Sequence, residues 1–214
     1  MTAKRIGFHI LRMSRFTHDV VVVGGGSGGL TAAYGCAQLG MKTALVEHGK
    51  LGGDCLHFGC VPSKTLLRTA AVRHLSAQSR DFGLPEVDLP SVDMAAVNRR
   101  IAEVIAQIQV HDSPERYERL GAEVIAASAR FLSPYEIELE GSRSPAGGGT
   151  TSSRPDSAAR VISAPKIVVA TGSSPRRVPI PGLDEAGYIT NLDAFSLTEL
   201  PRRLAVIGLS LIHI

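Results

Sequence analysis

Cys55 and Cys60, with four residues between them, sit in the stretch Leu51–Lys64, which reads LGGDCLHFGCVPSK. Gly52 and Gly53 precede the pair, and Pro62 and Lys64 follow it. Leu66, Leu67, Ala70, Ala71 and Leu75 recur at helical spacing, so the pair lies where a loop enters a helix expected over 63–79. Residues five apart in a regular helix are separated by about 7.5 Å along the axis, whereas a disulfide spans Cα atoms up to about 7 Å apart. A bridge therefore needs a distorted turn, which Gly52, Gly53 and Gly59 permit. A strained bridge at a helix start is reduced more easily than a relaxed one. A thiolate there is favoured by the helix N-terminal field and by Lys64. The pair reads as a redox-active dithiol. Two other readings stand beside it. One is a pair of ordinary buried cysteines. The other is a zinc site drawing on Cys55, His57 and Cys60, although structural zinc usually takes four ligands and the third cysteine, Cys36, falls inside a predicted helix.

The elements that must position this pair begin upstream. Asp19–Val23 is an apolar, β-branched run of the kind found in a strand buried on both faces. It enters Gly24-Gly-Gly-Ser-Gly-Gly29, which fits G-x-G-x-x-G on Gly24, Gly26 and Gly29. A helix is expected over 30–39, closed by Gly40, then a second strand over 42–46 that ends at Glu47. Strand, glycine turn, helix, strand and acid together describe a dinucleotide-binding β-α-β unit. The glycines admit a pyrophosphate to the helix N-terminus, and Glu47 is expected to accept hydrogen bonds from an adenosine ribose. Cys36 is expected as a small core residue on the helix–sheet seam.

Beyond the dithiol, 81–90 reads as a linker. Met94, Val97, Ile101, Val104, Ile105 and Ile108 share one face of a long amphipathic helix expected over 91–110. Ser113 is placed to cap a short helix with Pro114 in its first turn, and Gly121 ends it. Short strands are expected over 123–127 and 129–131, then a hairpin of 135–140 and 160–164 around a Gly/Ser/Pro/Thr tract over 141–159, read as a flexible tip. Lys166–Gly172 reads as a buried strand leading into Ala170-Thr171-Gly172-Ser173.

The chain of 214 residues is 44% apolar and 20% charged, with net charge +3 and three cysteines. That charge is mild and dispersed, so nucleic acid is not implied. No apolar run reaches the length of a membrane span. Three cysteines do not make a secreted disulfide framework, and a switchable dithiol suits a reducing cytoplasm. The short apolar patch within 1–12 lacks a small-residue cleavage site and is not read as a signal peptide.

LGGDCLHFGCVPSK resembles the active-site segment of the class I flavin disulfide reductases, also called pyridine nucleotide-disulfide oxidoreductases. These include glutathione reductase, dihydrolipoamide dehydrogenase and mercuric reductase and usually read GGTCxNxGCxPxK. Asp54 stands where the family has threonine, and His57-Phe58 where it has asparagine and an aliphatic residue. That variant resembles mercuric-reductase-like members.

The resemblance spans 17–208 and implies an α/β fold. Its core is a Rossmann-like, doubly wound FAD-binding domain with a small antiparallel β-hairpin. The expected organisation is an N-terminal extension over 1–16, the FAD domain with its dithiol over 17–200, and the first strand of a truncated NAD(P)-binding domain over 201–214. It implies FAD held by Gly24, Gly26, Ser27, Gly28, Gly29, Glu47, Lys50, Gly53, Asp54, Lys64, Ala170, Thr171, Gly172 and Ser173, with no resident metal. Cys60 is implied as the thiol beside the flavin, Cys55 as the interchange thiol, and Lys64 as a stabiliser of charge on the ring. Asp54, an acid near phosphates, is expected to turn away or to bond backbone amides. The implied activity passes electrons from NADH or NADPH through FAD to the dithiol and on to a disulfide, a dithiol or Hg(II), in a homodimeric parent. A dihydrolipoamide-dehydrogenase-like enzyme is the second choice, and a non-catalytic FAD or adenine-nucleotide-binding module the alternative of another class. The fingerprint that opens at Arg203–Gly208 does not continue through 209–214, so the chain alone is expected to be catalytically inactive.

Overall fold

The computed structural model describes residues 16–143 and 160–208. The expected extension, apart from Phe16, most of the Gly/Ser/Pro/Thr tract and residues 209–214 lie outside the described residues. The chain divides into two compact units, Met1–Gly52 with His111–Gly172 and Gly53–Val110 with Ser173–Ile214.

The first unit is built on a six-stranded sheet whose strands lie in the spatial order β5 (Arg160–Ser163), β4 (Glu136–Arg143), β3 (Ala122–Ser133), β2 (Thr43–Glu47), β1 (Val20–Val23) and β6 (Lys166–Val169). β1 (Val20–Val23) pairs in parallel with β2 (Thr43–Glu47) on one side and β6 (Lys166–Val169) on the other. All four valines of β1 are buried, as a strand covered on both faces requires. α1 (Ser27–Gln38) and α5 (Pro114–Arg119) cover one face, where Leu30, Ala33, Ala37 and Tyr117 pack with Val20, Val22, Leu45 and Ala122. Cys36 sits against the same cluster. The alternate residues Val21, Val23, Ala44 and Val46 join Ile125, Ile137, Leu139 and Ile162 on the other face.

The two short strands expected over 123–131 are one strand, β3 (Ala122–Ser133). Its first half pairs in parallel with β2 and its second half antiparallel with β4 (Glu136–Arg143), with a register shift between Ala126 and Ser128. An irregularity of this kind bends a strand and re-aims it toward a new neighbour. β4 pairs with β5 (Arg160–Ser163), so the sheet curls. The start of β1 then meets the end of β5: the His18 amide donates to the Ser163 carbonyl at 3.0 Å, and the Ser163 amide donates to Thr17 Oγ1 at 2.7 Å.

This closure is pinned by charge. His18 is buried, and its Nε2 lies 2.9 Å from Glu123 Oε2. Arg160 donates to Glu123 Oε1 at 2.6 Å. Burial pushes the Glu123 carboxyl upward, but the hydrogen bonds from Arg160 and His18 and the charges of both together leave it below the ordinary carboxylate value. A carboxylate lowered in the folded state stabilises the fold above its unfolded value, about pH 4.3, and that contribution is lost as pH falls through the folded value. Glu123→Gln is therefore expected to flatten the acid limb of stability. Urea midpoints of wild type and variant should differ at about pH 6 and converge toward about pH 3, the gap shrinking with salt because the carboxylate is partly exposed.

The second unit holds α2 (Gly53–His57), α3 (Cys60–Ala77) and α4 (Met94–Gln109). α4 packs through Met94, Val97 and Ile101, with Leu66 of α3, Val92 and Ile105 against them. It starts later than its periodicity predicts because the Asp93 carboxylate caps it, accepting from the amides of Ala95 and Ala96 at 2.9 and 3.2 Å. Two four-residue helices, α6 (Leu183–Ala186) and α7 (Asn191–Ala194), also belong to this unit. Arg203–Gly208, expected as a strand, adopts neither helix nor strand. A strand needs a neighbouring backbone to satisfy its amides and carbonyls, and none of the described residues pairs with it. Among the described residues no helix is long and apolar enough to cross a membrane.

Candidate functional site

In the first unit the glycine turn is shaped by the impossibility of side chains. Gly24 has φ +106°, and a Cβ there would collide with the Ala170 carbonyl. A Cβ at Gly29 would collide with the carbonyl of Gly24 itself. The Gly24 amide donates to the Val46 carbonyl and the Ala170 amide to the Val23 carbonyl, each at 2.8 Å. The turn is thus clamped between the ends of β1, β2 and β6. α1 begins three residues earlier than expected, at Ser27, with Gly26 as its cap and no side-chain cap bond. The amides of Ser27, Gly28 and Gly29 open the helix, where intrahelical acceptors are missing. Ser27 and Gly28 are exposed, and a Cβ at Gly28 would meet nothing. That is an open, amide-lined cradle at a helix N-terminus, of a kind that holds phosphate groups.

Glu47, expected to face a ribose, turns its carboxylate onto backbone amides. Oε2 accepts from Gly25 at 2.6 Å and Oε1 from Gly49 at 2.7 Å, and His48 Nδ1 lies 3.0 Å from Oε1. A carboxylate has about four lone-pair sites, so these bonds leave room for further donors. Gly52 is laid beside the turn by a parallel bridge to Gly26, its amide donating to the Gly25 carbonyl at 2.9 Å. This pairing, and the role of Gly25, whose missing side chain leaves room for Leu51, escaped the sequence reading. Gly24, Gly26, Ser27, Gly28, Gly29, Glu47, Ala170 and Thr171 are gathered around one turn. Lys50 and Gly172 are exposed nearby in sequence, with φ +70° at Gly172.

In the second unit the expected loop before the dithiol helix is itself helical. Gly52 and Gly53, with φ +104° and +57°, turn the chain into α2, which carries Cys55. The Phe58 amide closes that turn on the Asp54 carbonyl at 2.8 Å. Gly59 then breaks the helix: a Cβ there would lie 2.9 Å from the Asp54 carbonyl oxygen. Cys60 opens α3, and Pro62 is buried in its first turn, where a missing amide costs nothing. Cys55 is half-buried and Cys60 exposed, and no disulfide joins the described cysteines. Lys64 lies one turn along α3 from Cys60 and is exposed. His57 is half-buried with its ring tilted against Phe58.

Asp54 Oδ1 accepts from Asn191 Nδ2 at 3.2 Å. Among the described residues no group of three His, Cys, Asp or Glu side chains is placed to hold a metal ion.

The pattern of the family described as pyridine nucleotide-disulphide oxidoreductase matches residues 18–212. A mercuric reductase of Bacillus cereus is 28% identical over 205 residues, which cover 96% of this chain and 30% of that protein. A mercuric reductase of Staphylococcus aureus is 31% identical over 89% of this chain and 31% of its own length. A dihydrolipoyl dehydrogenase of Bacillus subtilis is 34% identical over 89% of this chain and 39% of its own length. The chain thus spans about a third of the length of these curated relatives.

Proposed function

Because the chain belongs to the pyridine nucleotide-disulphide oxidoreductase family, we propose that it forms the FAD-binding and dithiol-bearing part of an NAD(P)H-linked disulfide oxidoreductase. Residues 17–200 are assigned to the FAD domain and 201–214 to the opening of a nicotinamide domain. The amide cradle of Ser27, Gly28 and Gly29 fits a diphosphate, and the fit depends on the absence of side chains at Gly24 and Gly29. Glu47, Lys50, Gly53, Asp54, Lys64, Ala170, Thr171, Gly172 and Ser173 complete the proposed FAD-binding set. When bound, FAD supplies a two-electron carrier between a nicotinamide and a thiol pair.

The chain's own chemistry is thiol exchange. The Cys55 thiolate attacks a substrate disulfide, releasing one thiol and leaving a mixed disulfide. Cys60 then attacks Cys55, closing the Cys55–Cys60 bond and releasing the second thiol. The protons given up by the two cysteines reappear on the released thiols. Two electrons and two protons from the reducing side reopen the pair. Lys64, exposed one turn along α3 from Cys60, is assigned the stabilisation of negative charge on the flavin ring.

The observation that carries this reading is the turn from Asp54 to Cys60, which holds two thiols on consecutive helices around a glycine that no other residue replaces without displacing backbone. Hg(II) is the first choice of substrate and a lipoamide-type disulfide the second. Relatives named for each match this chain at similar identity. A cytoplasmic homodimer is the proposed setting of the parent protein.

The test is a thiol count combined with flavin titration. Equilibration with glutathione disulfide should remove two of the three titratable thiols, with peptide mapping joining Cys55 to Cys60. FAD should bind at one equivalent per chain with altered fluorescence. Three thiols persisting after oxidation, with FAD bound, would leave the non-catalytic nucleotide module as the reading.

A further inference from the structure

The turn between the two thiols is held from outside by a residue far along the chain. Asn191 opens α7, and its Nδ2 donates to Asp54 Oδ1 at 3.2 Å and reaches the Phe58 carbonyl at 3.4 Å. One amide group therefore spans both ends of the segment 54–58, within which Cys55 lies. α2 is five residues long, far below the length at which a helix stands alone, and Gly59 breaks it immediately.

Asn191 is itself held. Thr190 and Asp193 form a reciprocal capping box around α7, with Thr190 Oγ1 accepting from Leu192 at 3.2 Å and Asp193 Oδ2 accepting from the Thr190 amide at 3.0 Å. Downstream, Asn98 of α4 donates to the Leu197 carbonyl at 2.7 Å. Among the described residues the buried Asn98 Oδ1 has no hydrogen-bond partner, and the side chain bonds Leu197 through Nδ2. One hydrogen bond thus ties α4 to the segment just after α7, and α7 itself carries the amide that reaches the dithiol turn.

We propose that Asn191 is a positioning residue for the Cys55–Cys60 couple, clasping the Asp54 carboxylate and the Phe58 carbonyl and so fixing the turn that joins the two thiols. This rests on the redox reading above. The effective concentration of one thiol for the other depends on how tightly the intervening segment is held. Releasing the clasp lets the turn relax and disfavours the closed disulfide.

The experiment equilibrates the 214-residue chain with glutathione buffers of graded ratio and quantifies dithiol and disulfide by mass after trapping. Asn191→Ala should shift the equilibrium by about threefold to tenfold toward the dithiol, the scale of one net hydrogen bond. Leu192→Ala, at an exposed position of the same helix that makes neither contact, should stay within about twofold of wild type. Adding Asp54→Ala to Asn191→Ala should change little further, because both remove the same contact. An Asn191→Ala chain with a lowered urea midpoint but an unmoved glutathione equilibrium overturns the clasp and leaves Asn191 a merely structural residue. A wild-type chain that forms no Cys55–Cys60 disulfide in any buffer overturns the redox reading and the clasp with it.

Discussion

Gly24→Ala is expected to abolish FAD binding and to destabilise the first unit by about 3–5 kcal/mol, in the range of the most severe single substitutions. Two costs combine. The backbone at Gly24 has φ +106°, which residues with a side chain rarely adopt. The new methyl group would also strike the Ala170 carbonyl. That carbonyl cannot step aside cheaply, because the Ala170 amide is bonded to Val23 and β6 is paired with β1 along its length. Relief therefore requires unpairing the end of the sheet that forms the cradle. Urea unfolding and flavin fluorescence titration measure the two losses separately. Gly28→Ala is the control. A methyl group there meets nothing within 4 Å, and alanine stabilises a helix over glycine by about 0.5–1 kcal/mol. Its expected outcome is a more stable protein with weakened FAD affinity, since the open space is where the diphosphate is proposed to lie. A Gly24→Ala protein with wild-type midpoint and affinity would mean that the turn is not the rigid cradle described here.

Cys60→Ser and Cys55→Ser should each lower disulfide exchange by about 10³-fold or more, because a hydroxyl at neutral pH does not replace a thiolate nucleophile. Their signatures differ. With Cys55 intact and Cys60 lost, exchange with a substrate disulfide should stall as a mixed disulfide, visible as a mass increase of one substrate thiol. With Cys55 lost, that adduct should be far smaller. Stability should change by less than about 1 kcal/mol for Cys60→Ser, because the side chain is exposed. Equal adduct formation in the two variants would reverse or erase the roles assigned to the two sulfurs.

Much of the frame was legible because it follows from local pattern. Val20–Val23 announced a strand covered on both faces, and Ser113-Pro114 announced a capped helix, with Ser113 Oγ accepting from the Arg116 amide at 3.3 Å. What was illegible depended on distant partners. Ser27-Gly28-Gly29 reads locally as loop because glycine is a poor helix former. The turn is nevertheless drawn into α1, which packs Leu30 and Ala33 on the sheet. β3 looked like two strands because its pairing changes from parallel to antiparallel partway, and nothing within 122–133 states which neighbour each half will find. The five-residue α2 is too short for any periodicity to register. Of the dithiol site, the two cysteines and their glycines were visible at once, whereas the hydrogen-bond partner of Asp54 lies 137 positions away. Glu47 was correctly placed at the end of β2, but its bonds to Gly25 and Gly49 depend on a turn geometry that no spacing encodes.

The position of β1 has a consequence for how the protein is made. Its two flanking strands are widely separated in the chain, β2 shortly after it and β6 only at Lys166. While the polypeptide is emerging from the ribosome, Val20–Val23 can dock on one side but lacks its partner on the other until Lys166–Val169 has been synthesised. An apolar edge left open for that long invites association between nascent molecules. A chaperone held over Val20–Val23 until Lys166–Val169 emerges would lower that association.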